Sequence, residues 1–201
     1  MSMPDRDPLY RIIDKRSDVD KTANVWAYSQ IREESHLNEN VIISNQVYVG
    51  PGVRIGKNSK IQNNAMIYEP AVIGEGVFIG PGVILTNDHY PRAVNPDMSQ
   101  KLASDWSPVG VTIEDGVAIG AGSVCVAPLV IGHWAVIAAG SVVVKNVKRF
   151  SLVAGVPARQ IGWVGKFGVP LVQEEDGSFL CPKTKEKYVL SSTGEMSCVE
   201  E

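Results

Sequence analysis

"ISNQVYVGPGVRIGKNSKIQNNAMIYEPAVIGEGVFIGPGVIL", residues 43–85, carries the pattern that decides the fold. Every sixth residue is a large aliphatic: Ile43, Val49, Ile55, Ile61, Ile67, Ile73, Ile79 and Leu85. The same step runs backward through Leu37, Ile31, Val25 and Val19 to Ile13. Ile, Val and Leu fill about one position in four of the whole chain, so thirteen successive hits exclude chance. Four positions after each of the first twelve stands a small residue, from Ser17, Ala23, Ser29, Ser35 and Val41 on to Ala71, Val77 and Val83. Neither a helical period of 3.6 nor a strand period of two gives one large and one small inward residue in every six. A parallel β-helix does: short strands point both residues into a narrow core and tight turns join them. Gly50, Gly56, Gly74 and Gly80 follow their aliphatic directly and are read as turn glycines.

The period returns at Ile113, Ile119, Cys125, Ile131, Ile137 and Val143, with Val117, Ser123, Leu129, Ala135, Ser141 and Val147 as companions. Cys125 is therefore core filling. The step from Leu85 to Ile113 is not a multiple of six, so a loop over residues 86–112 leaves the regular path. Long loops on rigid scaffolds carry function, and most of the unexplained chemistry lies in this one, in "LTNDHYPRAVNPD". After Trp163 the hexads stop. The chain divides into a β-helix over 1–164 and a tail over 165–201, read as a hairpin turning at Glu175 to Gly177, one more strand and a loose acidic end.

Composition bounds the rest. The 201 residues are 44% apolar and 20% charged, which fits one globular domain with an appendage. A net charge of −3 gives no basic footprint for nucleic acid or an anionic membrane surface. Residues 116–144 lack any charge but are broken by glycines, serines, Pro128 and His133, and their six-residue period argues against a membrane span. The first sixteen residues alternate Arg, Lys and Asp without the apolar stretch of a secretion signal. Three distant cysteines without a C-x-x-C pair argue against zinc and for a reducing, cytoplasmic location.

The repeat resembles that of the hexapeptide-repeat acyltransferases. The resemblance implies a left-handed parallel β-helix with eighteen residues per coil, a little over six coils, and assembly as a homotrimer. At that pitch Gly120, Ala121 and Gly122 stack under Ala138, Ala139 and Gly140, with Val156, Pro157 and Ala158 continuing the column. A corner so poor in side chains leaves backbone groups open to a long thin ligand. Lys145, Lys148, Arg149, Arg159 and Lys166 follow with no acid among them, either an anion site or a solvated cap. "SLVAGVPARQIGW" is similar to the family's "V-x-G-x-P-A-[RK]" ending, which implies a coenzyme A site with Ala121, Ala139, Gly140, Lys145, Pro157 and Arg159.

"QNN", "TND" and "YPRA" make residues 13–165 resemble more closely the N-acetyltransferases of nucleotide-diphosphate-linked amino sugars. The resemblance implies acetyl-CoA as co-substrate and an amino-sugar nucleotide as acceptor, acetylated at its C-3 amine, for surface polysaccharide or glycan assembly. Asn87 would aim the amine, since an amide has no useful basicity, and Asp88 would hold the ammonium. His89 is the best imidazole base, although relatives pass the proton to the departing sulfur. Gln62, Asn63, Tyr68, Glu69 and Arg92 are candidates to read the sugar and its diphosphate, with turn formation the competing role for the asparagines around Asn64. Trp26 and Tyr28 match an aromatic pair of the family, with wall packing and ligand stacking both open. His36 reads as a turn residue and His133 as surface, and the three histidines are too dispersed for a metal set. Two alternatives stay open: an O-acetyltransferase of the same fold and a non-catalytic β-helix scaffold.

Overall fold

The computed structural model describes residues 10–199. Most of the opening stretch read for an export signal, and the final two glutamates, lie outside that range.

The hexads form a three-walled parallel solenoid. On the first wall Ile13, Ile31, Val49, Ile67 and Leu85 stand in direct register, each eighteen residues from the last. The second wall stacks Val19, Leu37, Ile55 and Ile73, and the third Val25, Ile43, Ile61 and Ile79. Up to Leu85 each strand is only two residues long, one pointing out and one in, which is all that a hexad leaves once its turn is made. The inward residues merge into a single buried column from Val25 to Val153. Burial in it pushes the Cys125 thiol up to about 12, as expected of core filling.

The glycines after the aliphatics have a different cause from the one expected. The left-handed turn position falls three residues after the aliphatic, at Gly52, Gly76 and Gly82, and also at Glu34, Asn40, Asn58 and Asn64. Gly56 and Gly80 are small because the next coil passes so close: a Cβ on Gly56 would lie 2.5 Å from the Gly74 carbonyl. The buried serines also do more than fill space. Ser59 Oγ donates to Gly74 O at 2.9 Å and accepts from Val77 N at 3.0 Å, tying one coil to the next. Ser29 makes the same pair of bonds, to Ser44 O and from Val47 N.

The inserted loop adds twenty-two residues to one coil, since Leu85 pairs with Cys125 and Ile73 with Ile113. It ends earlier than expected, because Val111 and Thr112 already pair with Leu129 and Val130 on the second wall. The loop is a braced hairpin: Val94 bridges Gln100, Lys101 N donates to Ala93 O, and Val109 N closes its base on Asn87 O at 3.0 Å.

The last coil is two residues short. Ile131 bridges Val147 and Ile137 pairs with Val153, steps of sixteen. The column over Ala138 and Ala139 therefore continues into Ala154 and Gly155 rather than Val156, Pro157 and Ala158. The chain instead reverses at Val156 and Pro157, and Ala158–Trp163 returns antiparallel to Ser151–Gly155. The tail hairpin turns at residues 174–178 as read, but two strands follow it, Lys187–Leu190 and Met196–Cys198. The expected loose end is thus a strand whose Met196 and Cys198 are buried with Phe150, Cys181 and Tyr188. These residues pack against Trp134 and Trp163 at the end of the solenoid.

Candidate functional site

Two corners of the solenoid collect the residues singled out from sequence, and the first wall lies between them. The turn after Met66–Ile67 carries Tyr68 and Glu69, and the turn one coil on carries Thr86 and Asn87. Register alone therefore sets Glu69 under Asn87, and the Asn87 amide donates Nδ2 to Glu69 Oε1 at 3.3 Å. With its NH2 committed there, the Asn87 carbonyl oxygen is left to accept from a ligand. The second Glu69 oxygen is buried without a hydrogen-bond partner. Tyr48 lies one coil lower, its ring 5.3 Å from that of Tyr68. Its phenol is pushed up first by burial and then by the charge of Glu69. Sequence reasoning missed Tyr48; only its place eighteen residues before Met66 signals it.

Asp88 accepts Tyr90 N at 2.8 Å, and the His89 and Tyr90 rings meet edge to face at 4.2 Å. His89 Nδ1 lies 3.3 Å from Ala127 O. A carbonyl only accepts, so this contact places the imidazole proton on Nδ1 and leaves Nε2 as the basic nitrogen. Asp88 and Arg92 line one loop cavity of about 420 Å3, together with Gln100, Lys101 and Trp106. The last three were not singled out from sequence.

Gln62 and Asn63 do not join this corner. They occupy the turn after Lys60–Ile61, between the third and first walls, below Gly80 and Pro81. Asn63 Oδ1 accepts Asn45 N at 3.0 Å, so its side chain links coils, and Asn64 holds φ at 61° as a turn former. Higher on the same corner lie Gly120 and Ala121 and, above them, Ala138, Ala139 and Gly140. Gly140 N donates to Ala121 O at 2.8 Å, and Gly122 and Gly140 take φ of 68° and 71°.

The open top of the solenoid holds a cavity of about 250 Å3 that Lys145 and Arg159 line with Ala158, Gln160 and one core residue from each wall, Val143, Val147 and Val153. Lys145 itself stands two coils above Asn87, since Leu85, Cys125 and Val143 are in register. Pro157 stands at the adjoining hairpin tip. Lys148 also borders the cavity but is spoken for, donating to Gly194 O at 2.8 Å and pairing with Glu195 at 3.2 Å. The run of cations thus divides between a cavity and the tail.

The other marked residues lie elsewhere. His36 begins the strand His36–Leu37 rather than a turn, and faces Asp18 at 3.4 Å. His133 sits in a turn against Glu114 at 3.3 Å. Trp26 is exposed, and Tyr28 stacks on Tyr10 at 5.8 Å near the other end of the solenoid. Among the described residues no group of three or more His, Cys, Asp or Glu gathers as a metal site. No helix there is long and apolar enough to cross a membrane.

Residues 52–87 match the family model of the bacterial transferase hexapeptide (six repeats), and residues 110–145 that of the hexapeptide repeat of succinyl-transferase. Over 52 residues the chain is 44% identical to a dTDP-3-amino-3,6-dideoxy-alpha-D-galactopyranose 3-N-acetyltransferase from Aneurinibacillus thermoaerophilus. That match spans 26% of this chain and 27% of the relative, about a quarter of each. The fold is similar to that of a hexapeptide transferase family protein from Anaplasma phagocytophilum, with TM-score 0.58 and 23% identity over 76% of this chain and 81% of that one. It is also similar to that of a GDP-perosamine N-acetyltransferase from Caulobacter crescentus, solved with CoA and GDP-perosamine. There the TM-score is 0.50 and the identity 18%, over 76% of this chain and 56% of that one.

Proposed function

Because the chain belongs to the hexapeptide-repeat transferases, we propose that it moves acetyl from acetyl-CoA to the C-3 amine of a nucleotide-diphosphate-linked amino sugar. The observation that carries the reading is the Asn87–Glu69 pair, an amide held with its NH2 turned toward the coil below. The side-chain oxygen Oδ1 of Asn87 accepts one N–H of the amine and aims the nitrogen lone pair at the thioester. Asp88 holds the ammonium form until its proton leaves. The N–C bond forms as the C–S bond breaks, and the amine proton ends on the sulfur of the departing coenzyme A. No strong protein base is needed. The partial match to a 3-N-acetyltransferase of a dTDP sugar supports the choice of acceptor.

The donor fits the other corner. The small residues Ala121, Gly122, Ala139 and Gly140, with open space where a Cβ on either glycine would stand, suit a pantetheine arm, and Lys145 and Arg159 at the open top of the solenoid suit the phosphates. The first wall separates the two corners, and its outward residues Ile12, Gln30, Tyr48, Met66, Ile84, Val124 and Val142 include no charge from end to end. Such a wall supports assembly of copies against one another as a homotrimer, in the cytoplasm where nucleotide sugars and acetyl-CoA meet.

The test is thiol release from acetyl-CoA with dTDP- and UDP-linked 3-amino and 4-amino sugars. Release with a 3-amino sugar is expected. Absence of CoA binding in calorimetry at high protein concentration would leave a scaffold instead.

A second reading has its own observation. The His89–Ala127 contact leaves Nε2 as a base, which is what O-acetylation of a hydroxyl requires. The His89→Asn variant separates the two: an unchanged pH profile favours the amine, a lost limb the hydroxyl.

A further inference from the structure

We infer that the cavity inside the inserted loop is the diphosphate and base site of the acceptor, with Lys101 as a second phosphate-binding cation beside Arg92 and Trp106 as the platform for the base. This rests on the nucleotide-sugar reading and deepens it. Four observations carry it.

The cavity is built rather than incidental. Val94 and Gln100 bridge across the hairpin, Lys101 N is fixed on Ala93 O, and Asn95 N donates to Ser99 O at 2.9 Å. At about 420 Å3 it falls within the range of small-molecule sites, roughly 300–1,000 Å3.

The loop's acids are mostly turned to its own support. Asp97 accepts both Ser99 N and Ser99 Oγ, at 3.0 and 2.6 Å. Asp105 accepts Leu102 N at 2.8 Å and Asn95 Nδ2 at 3.2 Å. Those hydrogen bonds hold both carboxyls below the usual carboxylate range, so they stay charged and bonded.

The loop's two cations line the cavity, and among the described residues neither is held in a salt bridge; Arg92 donates only to the neighbouring Pro91 carbonyl. Two cations and one acid, Asp88, therefore share one space beside Asn87. That pattern complements a ligand carrying two phosphates and one ammonium, which is the charge pattern of an amino-sugar nucleotide.

Trp106 is half-buried on the same lining, where an indole gives a rigid flat face. An aromatic plane next to two cations suits a nucleoside better than inorganic pyrophosphate.

Calorimetry with UDP, dTDP and 3′,5′-ADP on the full chain tests this. Lys101→Met is expected to weaken UDP or dTDP about tenfold, the loss of one charge-assisted bond. Lys101→Arg should restore most of it. Trp106→Leu is expected to weaken both nucleotides about tenfold, and Trp106→Phe by less. Thermal melting within a few degrees of wild type shows that the loop still folds. Binding of 3′,5′-ADP, which reports on the donor corner, is expected to stay unchanged in all four variants. Unchanged UDP and dTDP binding in Lys101→Met and Trp106→Leu overturns the inference, as does weakening of 3′,5′-ADP alone. Cation-dependent UDP or dTDP binding without thiol release from any amino sugar supports the cavity and sinks the acetyl-transfer reading. Thiol release that is indifferent to Lys101 and Trp106 does the reverse.

Discussion

Replacing Glu69 tests whether Asn87 acts by orientation. Two flips of the Asn87 amide are sterically equivalent, and only the one with Nδ2 on Glu69 Oε1 leaves the carbonyl oxygen for the amine. The opposite flip sets two oxygens against each other. A hydrogen bond to a charged acceptor contributes about 1.5–3 kcal/mol. At 3.3 Å and half-exposed, this one belongs at the lower end, about 1.5 kcal/mol, or about tenfold in the ratio of the two flips, so the working flip holds roughly nine-tenths of the molecules with the bond and roughly half without it. Glu69→Ala should therefore lower kcat/KM about twofold with the KM for acetyl-CoA unchanged, since Ala121 and Ala139 lie across the first wall. Glu69→Gln keeps an oxygen at the same place and should match wild type. The fold should respond in the opposite sense: Oε2 is buried without a partner, and a neutral amide in that position costs less than a carboxylate. Glu69→Gln should melt no lower than wild type. Steady-state kinetics with both substrates varied, beside thermal melts, reads all three effects. Losses of tenfold or more in both the Gln and the Ala variant would refute the orientation argument and make the carboxylate charge itself the requirement.

Three further outcomes follow from the geometry. Ser59→Ala removes two buried hydrogen bonds between coils, but Val77 N can then relax toward Gly74 O as Val83 N does toward Gly80 O at 3.4 Å, so the cost should be about 1–2 kcal/mol, roughly 2–8 °C in midpoint; a midpoint unmoved within a degree counts against the bridging role. Arg159→Ala should raise the calorimetric Kd for coenzyme A about tenfold and leave UDP or dTDP binding untouched, and equal effects on both would misplace the donor corner. For Cys125 the folded thiol titrates near 12 against an ordinary value of 9.0, so above pH 9 the unfolded chain loses a proton that the folded chain keeps. The Cys125 contribution is nil below pH 9 and falls by about 1.4 kcal/mol per pH unit from there toward 12, and urea unfolding at pH 8 and 10 should show a slope that Cys125→Val reduces by about that amount, the buried Tyr188 phenol supplying part of the rest.

The core was legible in the sequence because a two-residue strand in an eighteen-residue coil leaves each inward position only one kind of neighbour, the equivalent residue one coil away. Ile61 meets Ile43 and Ile79 and nothing in the chain competes for that place, so periodicity alone assigned it. The same logic brought Glu69 to Asn87. It failed where a position serves two demands. Gly56 is small for the coil above it and not for its own φ, and a one-dimensional pattern does not separate these. Ser59 reads as a small residue until the carbonyl and the N–H on either side of its hydroxyl are placed.

The loop and the last coil escaped for a different reason: they depart from the period, and a departure specifies only that register changes, not where it resumes. The last coil illustrates this. Val143 and Val147 keep the large-then-small spacing of four, which reads as another regular hexad. Val147 nevertheless stands beside Ile131 in the aliphatic column, because Lys145 and Asn146 make a tighter turn than the other coils use. The two-residue deficit lowers the following strand by the same amount and sets Ala154 and Gly155, not Val156 and Pro157, over Ala138 and Ala139. That shift frees residues 156–157 to turn and send Arg159 back toward Lys145, so the two cations share one cavity although fourteen residues separate them. Restoring the period is therefore a direct test of the donor corner. Inserting two residues after Asn146 should leave the lower coils and their melting intact while separating Arg159 from Lys145. Coenzyme A affinity should then fall at least as far as in Arg159→Ala, and retention of wild-type affinity would show that the cavity does not hold the donor.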